Sequence, residues 1–188
     1  MNVHHSLNRP QASIRECGGC TVCCRIPKIT ELKKPAGLLC QHCNENVGCG
    51  IYETRPSVCR EFHCGWKELL YLGDEWRPDK SGILICLVGE GEDIPAAFPQ
   101  LGLKFDVESP RVLNWFPLIA LIAKEIQRGM PVFLGTPSPV GYDRRKVLLN
   151  PLMANAVASR DRTLMAQALR RAFEIGLSDA MKEKTTFD

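Results

Sequence analysis

The sequence predicts an α+β protein. A cysteine-rich, metal-organised N-terminal module packs on a small α+β body with a short antiparallel sheet and two to three helices. Three observations lead there. Nine of the ten cysteines lie between Cys17 and Cys64, in a stretch rich in Gly and Pro with little apolar periodicity. From Ile83 onward the chain shows runs with strand and helix periods. The 188 residues are 45% hydrophobic and 24% charged, a globular composition that excludes wholesale disorder and suits one domain. The predicted layout is a flexible tail over 1–16 and a single domain over 17–188. That domain divides into a cysteine-cluster metal-binding module, 17–72, and an α+β body, 73–188.

The elements follow in order. Arg25 to Thr30 is a short apolar piece that fits a strand between two cysteine groups. A helix is expected from Pro56, since proline suits a first turn, carrying Val58, Phe62, Trp66, Leu69 and Leu70 and stopping at Gly73. Asp74 to Gly82 reads as a loop. Ile83 to Val88 is a compact apolar run that fits a buried strand. Leu101, Leu103, Phe105 and Val107 alternate with Gly102, Lys104, Asp106 and Glu108, the pattern of a half-buried strand. Asn114 is placed to cap a helix running to Arg128, with Pro117 in its first turn and Gly129 as its stop. Pro131–Gly135 and Tyr142–Leu149 read as a strand pair joined by a Pro/Gly/Ser loop. A last helix fits from Ala154 or Ser159 to Glu174, with Leu164, Ala168, Leu169 and Phe173 on one face. Trp66, Trp76 and Trp115 are expected to anchor the core.

A chain of this size needs no disulfides for bulk stability, so the cysteines need their own explanation. The first group is Cys17-Gly-Gly-Cys20-Thr-Val-Cys23-Cys24, the second Cys40-Gln-His-Cys43 and then Cys49, the third Cys59 and Cys64. A two-residue spacer lets two thiolates bend around one ion, and glycines allow the tight turn this needs. Adjacent Cys23 and Cys24 tend to point apart, so one of them is free to face a different metal. Four thiolates close a tetrahedral zinc site, and four also hold an iron–sulfur cluster. Nine therefore supply two sites with one left over, or one site plus several free thiols. The cofactors expected are one or two zinc ions or an iron–sulfur cluster. His42 and His63 are spare nitrogen donors that read equally as polar loop residues. Cys86, inside an apolar run, reads as a small buried hydrophobe.

Other motifs fail on spacing. The C-x3-C-x2-C pattern of radical enzymes that use S-adenosylmethionine is broken by Pro27, where its third cysteine would fall. The ferredoxin run is lost after three cysteines because Cys24 follows Cys23 directly. There is no P-loop, and Gly89-Glu-Gly91 lacks the third glycine and the following helix of a dinucleotide fingerprint.

The opening C-x2-C-x2-C-C, followed by Gly48-Cys49-Gly-Ile-Tyr52-Glu-Thr-Arg55-Pro56-Ser-Val-Cys59-Arg-Glu-Phe62-His-Cys64, resembles the YkgJ-type cysteine-cluster proteins, the zinc- or iron-chelating CxxCxxCC domain. The resemblance covers residues 17–66. It implies a chelated metal or cluster held by Cys17, Cys20, Cys23, Cys24, Cys40, Cys43, Cys49, Cys59 and Cys64, with Cys43 fitting the pattern least well, as a subfamily ligand or the spare thiol. Flagellin lysine methylases are similar in carrying such a cluster. That sets an iron–sulfur redox or methyltransferase-type enzyme beside the simpler metal-binding reading. Within the motif, Arg55 is placed to neutralise a thiolate site, Tyr52 to keep water from it and Pro56 to fix the turn that aims Cys59. Local packing and a surface charge would explain Tyr52 and Arg55 equally.

Charge and compartment limit the partners. The net charge of +3 argues against a nucleic-acid partner, and the Arg144-Arg-Lys146 and Arg170-Arg171 pairs read as solvated faces. Two tetrathiolate zinc sites would add eight thiolate charges and four of zinc, which takes +3 to −1. No apolar run follows Met1 and no stretch reaches a membrane span, so a cytoplasmic protein without membrane contact is expected. Thiols stay reduced there, which favours ligation over disulfides. Glu90, Glu92 and Asp93 read as a flexible turn without a catalytic role. The partners expected are the metal ion itself and, for an assembly role, another protein.

Overall fold

The computed structural model describes residues 15–89 and 93–187. The predicted tail falls outside them except for its last two residues, and Glu90 and Glu92 also lie outside.

The α+β class holds, with a two-stranded sheet in the module and a four-stranded sheet in the body. The module begins with one helical turn, α1 (Val22–Arg25). A small antiparallel hairpin follows, β1 (Cys43–Asn44) and β2 (Gly48–Cys49), which sets Cys43 across from Cys49. The predicted strand over Arg25–Thr30 is absent. The chain turns instead, with Ile26 and Ile29 buried, a 3₁₀ turn at Thr30–Leu32 and a closing pair between Ile29 and Lys34. Ile26 is the reason: it docks against Leu84 and Cys86 of the body, which ends the extended run.

The long helix expected from Pro56 is broken in two, α2 (Ser57–Glu61) and α3 (Gly65–Glu68). Phe62 and Cys64 are extended. Phe62 packs on the Ile26–Leu84 cluster, and Cys64 pairs antiparallel with Cys86. The apolar spacing that reads as one helical stripe therefore serves two surfaces. Arg15 terminates α3: its guanidinium lies 5.1 Å over the Trp66 ring and donates to the carbonyls of Trp66, Leu69, Leu70 and Leu72. A cation at a helix C-terminus satisfies carbonyls that have no intrahelical partner. The expected 74–82 loop holds a 3₁₀ turn, Asp74–Trp76, and a short helix, α4 (Pro78–Ser81).

The body's sheet runs in the order β3 (Ile83–Val88), β4 (Gly102–Val107), β5 (Val132–Thr136), β6 (Arg145–Leu148). β3/β4 and β5/β6 are antiparallel, but β4 and β5 are parallel, so the sheet is mixed rather than antiparallel. Parallel neighbours need a crossover. It is supplied by α5 (Phe116–Gln127), which starts behind Trp115 with Pro117 in its first turn. Asn114 closes the preceding 3₁₀ turn and accepts from Arg170 instead of capping α5. The single last helix is two, α6 (Asn150–Ser159) and α7 (Arg162–Ser178), joined through Arg160 in the left-handed region. The body thus exceeds the two to three helices expected.

One face of the sheet carries Ile83, Ile85, Leu103, Phe105, Val132 and Leu134 and is covered by α5, α6 and α7 in one apolar core. Trp66 and Trp76 are buried in it, and Trp76 meets Trp115 at 4.5 Å between ring centres. The opposite face at β3 carries Leu84 and Cys86 and is covered by the module through Val22, Cys23, Ile26, Phe62 and Cys64. β4, expected half-buried, is therefore buried at every position but Lys104. Arg144, read as solvated, is also drawn in: Asp106 is 2% exposed, and Arg144 Nε stands 3.4 Å from it and Lys104 Nζ 3.2 Å.

Candidate metal centre

All ten cysteines are free thiols, and the nine of the module fall into two sets. Cys17, Cys20, Cys23 and Cys64 line a small cavity of about 20 Å³, floored by Trp66, Pro78 and Leu84. That is room for a water-sized occupant. The turn Cys17–Cys20 is closed by a backbone bond from Cys20 N to Cys17 O, 3.0 Å, with Gly18 at φ +54°. A side chain there would be strained. A Cβ on Gly19 would lie 2.5 Å from the Asn46 carbonyl oxygen, so the first cysteine loop is pressed against the tip of the β1–β2 hairpin.

The second set is Cys24, Cys40, Cys43, Cys49 and Cys59. The two sets meet at α1: Cys23 packs toward Leu84 and Cys86, while Cys24 touches both Cys23 and Cys43. Cys40 N donates to Cys24 O at 3.0 Å, and Cys43 N donates to Cys40 O at 2.9 Å. Cys59 rides on α2, whose start is fixed from a distant segment. Glu31 accepts from Ser57 Oγ at 2.5 Å, from Val58 N at 3.1 Å and from Ser57 N at 3.3 Å.

The thiols raise one another's proton affinity. Burial pushes Cys43 up to about 12, helped by Cys24, Cys40 and Cys49. Burial likewise raises Cys59, with Cys24, Cys40 and Cys49 adding to it. Cys24 is raised well above the ordinary thiol value, first by its contact with Cys23 and then by burial. In the first set burial raises Cys20, offset in part by the backbone N–H groups of Val22 and Asp79. Burial raises Cys64 too, offset by those of Lys67 and Trp66, although no side-chain capping bond closes at the start of α3. Thiols that compete for protons in this way are the donors that a soft or borderline cation displaces protons from.

Lys34 stands beside the second set. It is 6% exposed, and its Nζ donates to Leu38 O at 2.8 Å, Arg25 O at 2.9 Å and Pro35 O at 3.0 Å. Burial lowers it to about 8, and Cys40, Cys24 and Cys59 favour its charge. Neither Lys34 nor Glu31 was legible as a site residue, because their partners are backbone groups and side chains brought near only by folding.

The histidines turn to other partners. His63 is exposed and sits 3.4 Å from Glu68, and His42 lies 3.3 Å from Gln41. Arg55 lies 3.9 Å over the Tyr52 ring and donates to the Tyr52 carbonyl at 2.5 Å, and Tyr52 is 47% exposed, so this pair does not roof the thiols. Cys86 is buried, 3.6 Å from an Asp106 carboxylate oxygen, outside both sets. As placed, no group of three or more His, Cys, Asp or Glu side chains among the described residues is arranged to hold a metal ion. The donor type nevertheless suits a thiophilic ion: four thiols line one cavity, and Cys40, Cys43, Cys49 and Cys59 make up a second set with Cys24.

No family model matches the chain, and no solved structure matches it. A UPF0153 protein of Pseudomonas aeruginosa is 40% identical over 52 residues, which covers 23% of this chain and 62% of that protein. The chain thus spans less than two thirds of the curated relative it matches. Among the described residues no helix is long and apolar enough to cross a membrane.

Proposed function

We propose that this is a cytoplasmic metal-binding protein of the YkgJ-type cysteine-cluster kind, which holds ions in two thiolate sites. The first site is Cys17, Cys20, Cys23 and Cys64; the second draws four ligands from Cys24, Cys40, Cys43, Cys49 and Cys59. The observation that supports it most is the four-thiol cavity, because its donors come from two chain segments, Cys17–Cys23 and Cys64, that lie 41 residues apart and share one small space. A space that small suits a single ion such as zinc better than a cluster of several iron and sulfide ions. A closed tetrathiolate site has no open coordination position, so its contribution is to fold and fix the module, which then serves binding or assembly with a protein partner.

Anaerobic purification of the native chain followed by metal and sulfide analysis tests the proposal. Two zinc ions per colourless chain is the expected result. Stoichiometric iron and sulfide in a brown protein would move the function to the iron–sulfur enzyme reading. A chain with no bound metal, which takes none up on reconstitution, would overturn metal binding altogether.

A further inference from the structure

A buried ammonium needs either full hydrogen bonding or a countercharge close by, and a lysine almost never goes fully inside without one. Lys34 has the first: its three N–H groups are used by three carbonyls. Among the described residues no carboxylate pairs with it. The groups that favour its charge are the sulfurs of Cys40, Cys24 and Cys59. Those sulfurs belong to the second thiol set, and the three carbonyls belong to the segments that carry Cys24 and Cys40. A tetrathiolate site around a divalent ion has two surplus negative charges. A fixed cation beside the sulfurs offsets one of them where water is excluded.

We propose that Lys34 is the charge-compensating, positioning residue of the second thiol site: its buried ammonium, held by the Arg25, Pro35 and Leu38 carbonyls, stabilises the metal-loaded, anionic form of the Cys24 set. This rests on the two-site reading above.

Cobalt(II) is the probe, because thiolate-bound cobalt is coloured and reports its sulfur ligands through a near-ultraviolet charge-transfer band. The full-length chain is titrated anaerobically as wild type, Lys34→Met, Lys34→Arg and the double variant Cys24→Ser/Cys59→Ser. Wild type is expected to take two cobalt ions, and Cys24→Ser/Cys59→Ser, which leaves only three thiols in the second set, to lose one. Lys34→Met keeps an unbranched side chain, one atom shorter, and loses the charge. It should bind the first ion as wild type does and the second about 10- to 100-fold more weakly, the usual cost of losing an outer-sphere partner. Its residual charge-transfer band should shift to longer wavelength, because sulfur electrons no longer held by the cation are easier to promote. Lys34→Arg, which keeps the charge, should recover most of the affinity and the wild-type band.

Unchanged affinity in Lys34→Met overturns the proposal, as does equal weakening of both variants with no spectral shift, which would mark Lys34 as a loop clamp only. Should Lys34→Met fail to fold, the Lys34→Arg spectrum decides: an altered band overturns the proposal. A wild type that takes up no cobalt, or loses none in Cys24→Ser/Cys59→Ser, overturns the two-site reading and the role of Lys34 with it.

Discussion

Gly65 sits at the start of α3, where the module meets the body. A Cβ there would lie 2.4 Å from Ile85 Cγ2, and Ile85 is fully buried. The contact leaves no space for a methyl group and no slack in Ile85 to make it. Gly65→Ala should therefore destabilise by about 1–3 kcal/mol, the cost of overpacking a filled core, read as a lower denaturant midpoint. Arg144 is the second residue where one side chain decides. Its own side chain is 9% exposed and faces Asp106 and Glu108, while Asp106 relies on it and on Lys104. Arg144→Met leaves a buried carboxylate with one cation instead of two. A loss of about 3 kcal/mol is expected from breaking a buried pair, measured by urea unfolding at neutral pH. A loss under 0.5 kcal/mol, the range of ordinary surface changes, would return Arg144 to the solvated face that the basic triplet suggests.

At the scale of elements, two caps carry predictions of different kinds. Asp161 accepts from the N–H groups of Thr163 and Leu164 at 2.8 and 3.1 Å and starts α7. Asp161→Ala should cost about 1 kcal/mol, with α7 fraying seen in amide exchange. Glu31 caps α2 through space, and the Ser57 hydroxyl together with the Val58 and Ser57 N–H groups holds its carboxyl below the ordinary 4.5. A carboxylate depressed in the folded state contributes stability that is complete above its ordinary value and is lost as the pH falls through the depressed one. Acid titration of the metal-free chain should therefore loosen α2 below about pH 4.5, and Glu31→Gln should remove that step. An α2 that titrates alike in both proteins would sink this assignment. These elements also show what the sequence could carry. β3 was legible as an unbroken apolar run closed by Gly89, and α5 by its first-turn proline and the stop at Gly129. The break at Phe62–Cys64 was not, because Phe62 and Cys64 face β3 while Trp66 enters the main core, and their spacing mimics a single stripe. The parallel β4/β5 pair was not legible either, since nothing local in a strand states its neighbour's direction. The nine candidate ligand cysteines stood out by spacing alone. Their division between two sets depends on which way Cys23 and Cys24 leave α1, a property of the folded backbone.

For the molecule as a whole, the module contributes few buried side chains of its own: Ile26, Ile29, Ala36 and Cys40 are its main buried apolar residues before Trp66. The body owns the extended core. Chelation of a metal-loaded chain should therefore unfold residues 17–64 while the four-stranded sheet persists. Far-UV circular dichroism should fall only slightly, and amide protection should vanish in the module and stay in β4 and β5. Simultaneous loss of protection in both would show that module and body fold as one cooperative unit.

The pairing of Cys64 with Cys86 has a consequence for how the protein behaves in a crowd. β3 is the outermost strand on its side of the sheet, and Ile83-Leu-Ile-Cys-Leu-Val88 is six residues without a charge, proline or glycine. An open strand of that kind is a template for other copies of itself. The sheet does not protect it with lysines, a bulge or a proline. It protects it by laying the Cys64 segment along the open side. Whatever loosens that segment bares the template. Stripping the chain with a strong chelator should then produce light-scattering oligomers rich in intermolecular β-structure, and a lysine placed at Leu87 should suppress them. Keeping the cysteine module closed is, by this reasoning, also the means by which the chain avoids self-assembly.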